Sequence, residues 1–280
     1  MQQLRKMGGN DLIPEILQYS FMQKALIVGL LIAIITPLIG LTVVLKRLSM
    51  IGDSLSHTSL AGVAAGLVIG VNPVLGAIVF AIIAAFAIER VRKIFKSYSE
   101  IAIAIIMSTG IGLAGILSSY VKNMADFNSF LFGSIVATSN LEIILVFVLG
   151  ILVVAAVVIL YRELMYIAFD EECAALAGIP VGGVNFLFTI LTAVTVSVSA
   201  RTVGTLVVSS LLVLPVASAM QVSKSYKATT FISVIYAVIA TMTGLIVSFY
   251  GDLRPGGTIV LIAVFMLILS IGYGKVIRKE

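Results

Sequence analysis

The stretch Ala25-Leu-Ile-Val-Gly-Leu-Leu-Ile-Ala-Ile-Ile-Thr-Pro-Leu-Ile-Gly-Leu-Thr-Val-Val-Leu45 runs for 21 residues between Lys24 and Lys46 without a charged side chain. A helix crosses the hydrocarbon core of a bilayer with about 20 such residues. Similar apolar windows recur at 54–70, 73–88, 101–120, 141–161, 184–200, 203–220, 230–250 and 257–273. The composition agrees: 60% of the 280 residues are hydrophobic, only 11% are charged, and the mean hydropathy is +1.19. A soluble core of this length could not hide so much apolar surface. The expected fold is all-α, a polytopic membrane protein with about eight or nine transmembrane helices. The windows 184–200 and 203–220 are short, and a broken or re-entrant helix there gives the lower count. A polar N-terminal segment 1–20 precedes a single membrane domain 21–273, and a basic tail 274–280 follows. The first apolar run is too long for the core of a cleavable signal peptide.

Orientation follows from the basic residues. Arg90, Arg92, Lys93 and Lys96 follow the third window, Lys224 and Lys227 the seventh, and Lys275, Arg278 and Lys279 the last. All three groups are expected on the cytoplasmic side. With nine spans this leaves the N-terminus outside, despite Arg5 and Lys6. The formal net charge of +5 is therefore largely topological. The basic residues sit in short loops and not in one aromatic-laced patch, so no nucleic-acid partner is expected. A lone cysteine, Cys173, excludes an internal disulfide framework and a Cys-rich zinc site.

The chain's single histidine lies in Arg47-Leu-Ser-Met-Ile-Gly-Asp53-Ser-Leu-Ser-His57-Thr-Ser-Leu-Ala-Gly62. Asp53 and His57, four residues apart, share one face of a helix. An ionised Asp in a bilayer costs on the order of 2.5–3.5 kcal/mol on insertion scales, and ion passage is the usual reason for such a residue. The bland alternative is that Asp53 caps the helix after Gly52 while His57 makes one internal hydrogen bond. A carboxylate oxygen and an imidazole nitrogen suit a borderline first-row divalent ion, zinc or manganese. Two ligands are too few. Two identical chains with these helices facing each other would supply two oxygens and two nitrogens, the number zinc prefers. Thr58, Gly62, Gly66 and Gly70 form a small-residue ridge at four-residue spacing in the same window, which permits close helix packing.

No energy source is evident within the chain. Gly274-Lys275 is followed by Val276, and Leu269 stands where a phosphate loop needs its first glycine. Gly110-Ile-Gly112-Leu-Ala-Gly115 fits G-x-G-x-x-G, but it lies inside an apolar window, where helix packing explains it better than a dinucleotide. Secondary carriers often hold several intramembrane ionisable groups and duplicated broken helices. Here Asp53 and His57 are nearly alone.

Leu45-Lys-Arg47-Leu-Ser-Met-Ile-Gly-Asp53-Ser-Leu-Ser-His57 closely resembles the signature of the permease subunits of ATP-binding-cassette zinc and manganese uptake systems. Phe130-Leu-Phe-Gly133-Ser-Ile, Phe169-Asp170 through Gly178, and Val203-Gly204-Thr205-Leu to Leu214-Pro215 agree in order and spacing. The resemblance extends from about Phe21 to Phe265. It implies a homodimer in the cell membrane of a prokaryote, with two cytoplasmic ATPase subunits and an external metal-binding protein. Asp53 and His57 match the family's metal-coordinating pair. The expected cargo is zinc or manganese, with no permanently bound cofactor, and Tyr19-Ser-Phe-Met through Leu45-Lys-Arg looks more like the zinc-type members.

The remaining features are read against that resemblance. Asp170-Glu171-Glu172-Cys-Ala174-Ala175-Leu-Ala-Gly178-Ile-Pro180 has an acidic start, a short helix-forming body, and Gly and Pro where a helix would end. It resembles the cytoplasmic coupling helix that docks on the ATPase; an interfacial helix without a partner would carry the same caps. The mixed segment 125–139 is too short to span and is expected to face outward. Pro215 is expected to kink its helix. Two rival classes remain: a gradient-driven secondary cation carrier, and an ATP-driven permease for a metal chelate.

Overall fold

The computed structural model describes residues 15–95, 98–124, 127–128, 130 and 140–277. The ordered elements are all α-helices. They are α1 (Glu15–Gln18), α2 (Ser20–Leu45), α3 (Ile51–Ile69), α4 (Pro73–Ile94), α5 (Ser99–Ser118), α6 (Asn140–Ile159), α7 (Tyr161–Phe169), α8 (Glu171–Leu176), α9 (Val181–Val203), α10 (Thr205–Val222), α11 (Tyr226–Gly251) and α12 (Pro255–Ile277). Every apolar window read from the sequence is a helix. Among the described residues seven helices, α2, α4, α5, α6, α9, α11 and α12, are long and apolar enough to cross a membrane. α10 is a shorter apolar helix. α3 has the length, but Asp53, Ser54, Ser56, His57, Thr58 and Ser59 dilute its apolar character.

The short pair of windows is resolved as α9 and α10, which meet at Gly204. Its φ of +97° is a conformation that L side chains rarely adopt, so glycine permits the break. α10 runs on through Pro215, and α2 through Pro37. The interruption therefore falls at Gly204 and not at the proline. One element escaped the sequence reading. The window 141–161 ends as a helix at Ile159, and α7 then buries Leu164, Ile167 and Ala168 while exposing Arg162 and Tyr166. Its apolar stripe continues the run of α6, so hydropathy alone does not separate the two.

The largest hydrophobic cluster is contributed mainly by α2, α4, α6, α9 and α10, joined by the start of α3, with Ile32, Ile35, Ile39, Leu55, Ile88, Leu211 and Leu212 among its fully buried side chains. α3 packs against α4, α5, α9 and α10. The ends of the helices sort into two faces. Lys46 after α2, Arg92 at the end of α4, Glu171 at the start of α8 and Asn185 in α9 are joined by polar contacts. Tyr226 at the start of α11 stacks edge-on to Tyr161 of α7. This is the basic face that the loop charges assign to the cytoplasm. At the opposite end, Arg201 of α9 pairs with Glu142 of α6 at 3.0 Å and lies 4.3 Å over the ring of Phe130. The rest of the 125–139 segment lies outside the described residues, save Phe127 and Asn128, as do 1–14 and 278–280 of the two terminal segments.

Candidate functional site

Helix α3 begins at Ile51, after Met50, which makes no capping hydrogen bond through its side chain. Asp53 therefore lies inside the first turn and is not the N-cap, which removes the bland reading of that residue. From Ile51 to Gly66 every residue is buried except Asp53 and His57, which are half-buried. The two stand one turn apart on one face, in line with the exposed Met50. Further along that face Leu60, Ala61 and Ala64 are buried and close it. Among the described residues neither side chain takes part in a hydrogen bond or ion pair, and no group of three or more His, Cys, Asp or Glu side chains is gathered. Within the described residues one chain thus offers two unpartnered donors.

Packing sets the depth of the pair. α3 and α4 form an antiparallel hairpin in which Gly62 and Gly76 meet backbone to backbone; a Cβ on either would collide with the other's carbonyl. Gly66 continues the contact, since a Cβ there would lie 3.1 Å from the Cα of Pro73. That register brings His57 level with Ala81 and Asp53 level with Ala85. At about 1.5 Å per residue, His57 lies roughly 12 Å from the outer end of α4 and roughly 20 Å from its inner end. α5 agrees: a Cβ on Gly110 would lie 2.9 Å from the Cα of Thr58, halfway along α5. Asp53 and His57 therefore lie at the depth of the middle third of α4.

The glycine ridge divides by role. Gly62 and Gly66 are packing residues, but Gly70 has φ +83° and open space around its Cβ position, so it ends α3 in a left-handed C-cap and packs against nothing within 4 Å. In the G-x-G-x-x-G string Gly110 packs on Thr58, whereas Gly112 and Gly115 face open space. Hydroxyls on α3 are mostly satisfied: Ser54 Oγ donates to the Ile103 carbonyl at 3.2 Å, Thr58 to Ser54 at 2.8 Å and Ser59 to Ser56 at 2.9 Å.

The second sequence-predicted constellation is helix α8. Asp170 caps it, its carboxylate accepting from the amides of Glu172 at 2.9 Å and Cys173 at 3.0 Å, and these bonds hold its pKa below the ordinary carboxylate value. Gly178, at φ +84°, and Pro180 end the segment as their types demand. Ala174 is 0% exposed and faces the bundle, and Glu171 also turns inward. Glu172, Cys173, Ala175 and Gly178 face outward, joined by Leu176, which is 89% exposed. The sequence reading missed Leu176, although a leucine in an acidic six-residue helix was a signal. It also missed Lys46 and Asn185. Lys46 Nζ lies 2.7 Å from Glu171 Oε1 and 2.8 Å from Asn185 Oδ1, with its side chain only 6% exposed. Burial pushes the Lys46 amine below its ordinary value despite the pull of Glu171. Glu171 stays below the carboxylate range: burial opposes this, but the bond to Lys46 and the Lys46 and Arg92 charges outweigh it.

A multi-pass helical bundle with an Asp-His pair that has no partner among the described residues, and a short capped helix on its basic face, fits the class of membrane transport subunits. The chain belongs to the ABC 3 transport family, whose model matches residues 18–274. It is 35% identical over 264 residues to a probable metal transport system membrane protein of Treponema pallidum, covering 94% of this chain and 99% of the relative. It is 32% identical to a manganese transport system membrane protein of Listeria innocua, covering 91% of each. The high-affinity zinc uptake system membrane protein of Haemophilus influenzae is 27% identical over 90% of this chain and 97% of its own. Among solved structures, PsaBC from Streptococcus pneumoniae in complex with Fab superimposes with a TM-score of 0.81 at 28% identity, covering 91% of this chain and 92% of that one.

Proposed function

We propose that this chain is the permease of an ATP-driven importer that carries a divalent metal ion, zinc or manganese, across the cell membrane by alternating access. The observation that carries the reading is the state of Asp53 and His57: the two half-buried positions in the otherwise buried stretch Ile51 to Gly66 of α3, level with the middle of neighbouring helices, without partners among the described residues. Intramembrane charge left unpaired is costly unless a ligand uses it. Two copies facing each other would complete a four-donor set of two carboxylate oxygens and two imidazole nitrogens. The metal is cargo, and no permanently bound cofactor is invoked.

In this reading the chain is not an enzyme. Cytoplasmic ATPase subunits hydrolyse ATP and dock on the outward face of α8, through Glu172, Ala175, Leu176 and Gly178, while Asp170 holds that helix in shape. An extracytoplasmic binding protein delivers the ion, since a net charge of +5 does not concentrate cations. The accessible line from Met50 through Asp53 to His57, closed by Leu60, Ala61 and Ala64, supports a release path toward the basic face. The donor count favours zinc, whereas the manganese-named relative is more similar than the zinc-named one.

The test is metal uptake into vesicles holding this chain with its ATPase and binding protein, with zinc and manganese in competition. ATP-dependent uptake that His57→Ala abolishes without loss of assembly is the expected result, and the competition ranks the metals. Uptake by the purified chain alone, driven by an ion gradient, would instead make it a secondary carrier. Intact metal-chelate uptake in Asp53→Ala would point to the chelate permease.

A further inference from the structure

We infer that Lys46, Arg92 and Asn185 are positioning residues that transmit movement of α8 to the metal-binding helix α3, through the single carboxylate oxygen Glu171 Oε1. This rests on the transport reading above. Oε1 receives donors from the ends of three different helices: Lys46 Nζ at 2.7 Å, Arg92 Nη2 at 3.3 Å and Asn185 Nδ2 at 3.3 Å. Lys46 also donates to Asn185 Oδ1 at 2.8 Å, and Arg92 Nη1 lies 3.6 Å from Glu89 on its own helix. Lys46 and Arg92 are thereby balanced by Glu171 and Glu89.

Among the described residues, the cluster is where α8 grips the bundle by directed bonds. α8 has six residues, of which Ala174 is buried. Its apolar hold is too small to carry a load by itself, and Glu171 adds charge-assisted bonds with fixed geometry. A buried ion pair adds little net stability over apolar residues of the same volume, so its better-attested value is in fixing register or serving as a switch.

On the other side of the cluster, Lys46 is seven residues from Asp53, and the connection is stiff. The Lys46 amide bonds to the Thr42 carbonyl, Arg47 to Val44, Leu48 to Val43 at 2.9 Å, Ile51 to Leu48 at 2.8 Å and Ser54 to Met50. Leu48 is buried in the middle of this turn, and Arg47 takes a φ of +57° to close it. A displacement of Lys46 is thus passed to the first turn of α3 with little slack. The covalent route from α8 through Pro180 enters α9, which meets α3 by packing alone, whereas the Glu171 cluster ties α8 to the α2–α3 turn by directed polar bonds.

The test uses the full complex in vesicles and reads two quantities together: zinc or manganese taken up, and ATP hydrolysed per ion. Lys46→Met keeps the length of the side chain and leaves Glu171 its Arg92 and Asn185 donors. The expected result is uptake reduced tenfold or more, with ATP hydrolysis by the assembled complex within twofold of wild type. Lys46→Arg, which keeps the charge, should restore at least half of the wild-type ratio. A wild-type ratio in Lys46→Met overturns the inference, as does a Lys46→Arg protein as uncoupled as Lys46→Met. If Lys46→Met does not assemble, Asn185→Ala is read in the same way: a wild-type ratio overturns, a raised one supports. A wild-type complex with no ATP-dependent uptake of either metal would overturn the transport reading itself, whereas a transporting complex whose variants stay coupled would overturn only this linkage.

Discussion

Two charged regions, seven residues apart in sequence, are treated in opposite ways. At Lys46 and Glu171, on the basic face, every charge has a partner of the opposite sign at 2.7–3.6 Å. At Asp53 and His57, deeper in the bundle, neither side chain has a partner among the described residues. The Lys46 side chain is 6% exposed and finds its partners, as a buried charge must, whereas Asp53 and His57 are half-buried on an accessible line that a ligand could enter. Charge that is satisfied holds helices together; charge left open at depth is available to a ligand.

The largest effect should come from the open pair. Asp53→Ala or His57→Ala is expected to lower ATP-dependent metal uptake on the order of 100-fold, since on the proposed reading each removes a metal ligand, where even supporting residues are worth 10–100-fold. Retained uptake would collapse the contrast and make both regions structural. Next comes the outward face of α8: Leu176→Asp should abolish co-purification with the ATPase while leaving the melting temperature within a degree or two, because Leu176 touches little in the bundle. Gly62→Ala should destabilise the α3–α4 hairpin by about 1–3 kcal/mol, because the new methyl meets the Gly76 backbone. Thermal unfolding in detergent measures this, and the same change at Gly112, which faces open space, should be close to neutral.

The smallest expected effect is a pH dependence of the satisfied cluster. Glu171 has its folded pKa below its ordinary 4.5, so the stability it contributes is present above 4.5 and is lost as pH falls through the lower, folded value. Melting curves between pH 7 and pH 3 should therefore show an acid decline below 4.5 that is shallower in Lys46→Met. Equal slopes would mean that Lys46 is not what holds the carboxylate ionised.

Much of this was legible in residue order. The nine apolar windows became helices because hydropathy over 17–25 residues is a local property that a bilayer enforces. Asp170, Gly178 and Pro180 bounded α8 as expected because caps act within a turn of their own residue. Gly70 was read as one more packing glycine because spacing cannot distinguish a buried ridge position from a left-handed C-cap. Ala174 and Glu171 were grouped with the docking residues for a similar reason: in six residues there is no second turn to reveal which face is inward. α7 was lost because its apolar stripe continues that of α6.

The sequence by itself determined a polytopic helical membrane protein and a lone Asp-His pair on one helical face, since each depends on composition or on spacing within a few turns. Only the tertiary structure decided that Asp53 caps nothing, that the pair lies level with the middle of α4 and α5 while its neighbours are buried, and that Lys46, Arg92 and Asn185 converge on Glu171. Those facts depend on which helices meet and at what register, and residues 46, 92, 171 and 185 are brought together by long-range packing that no local pattern in the chain records.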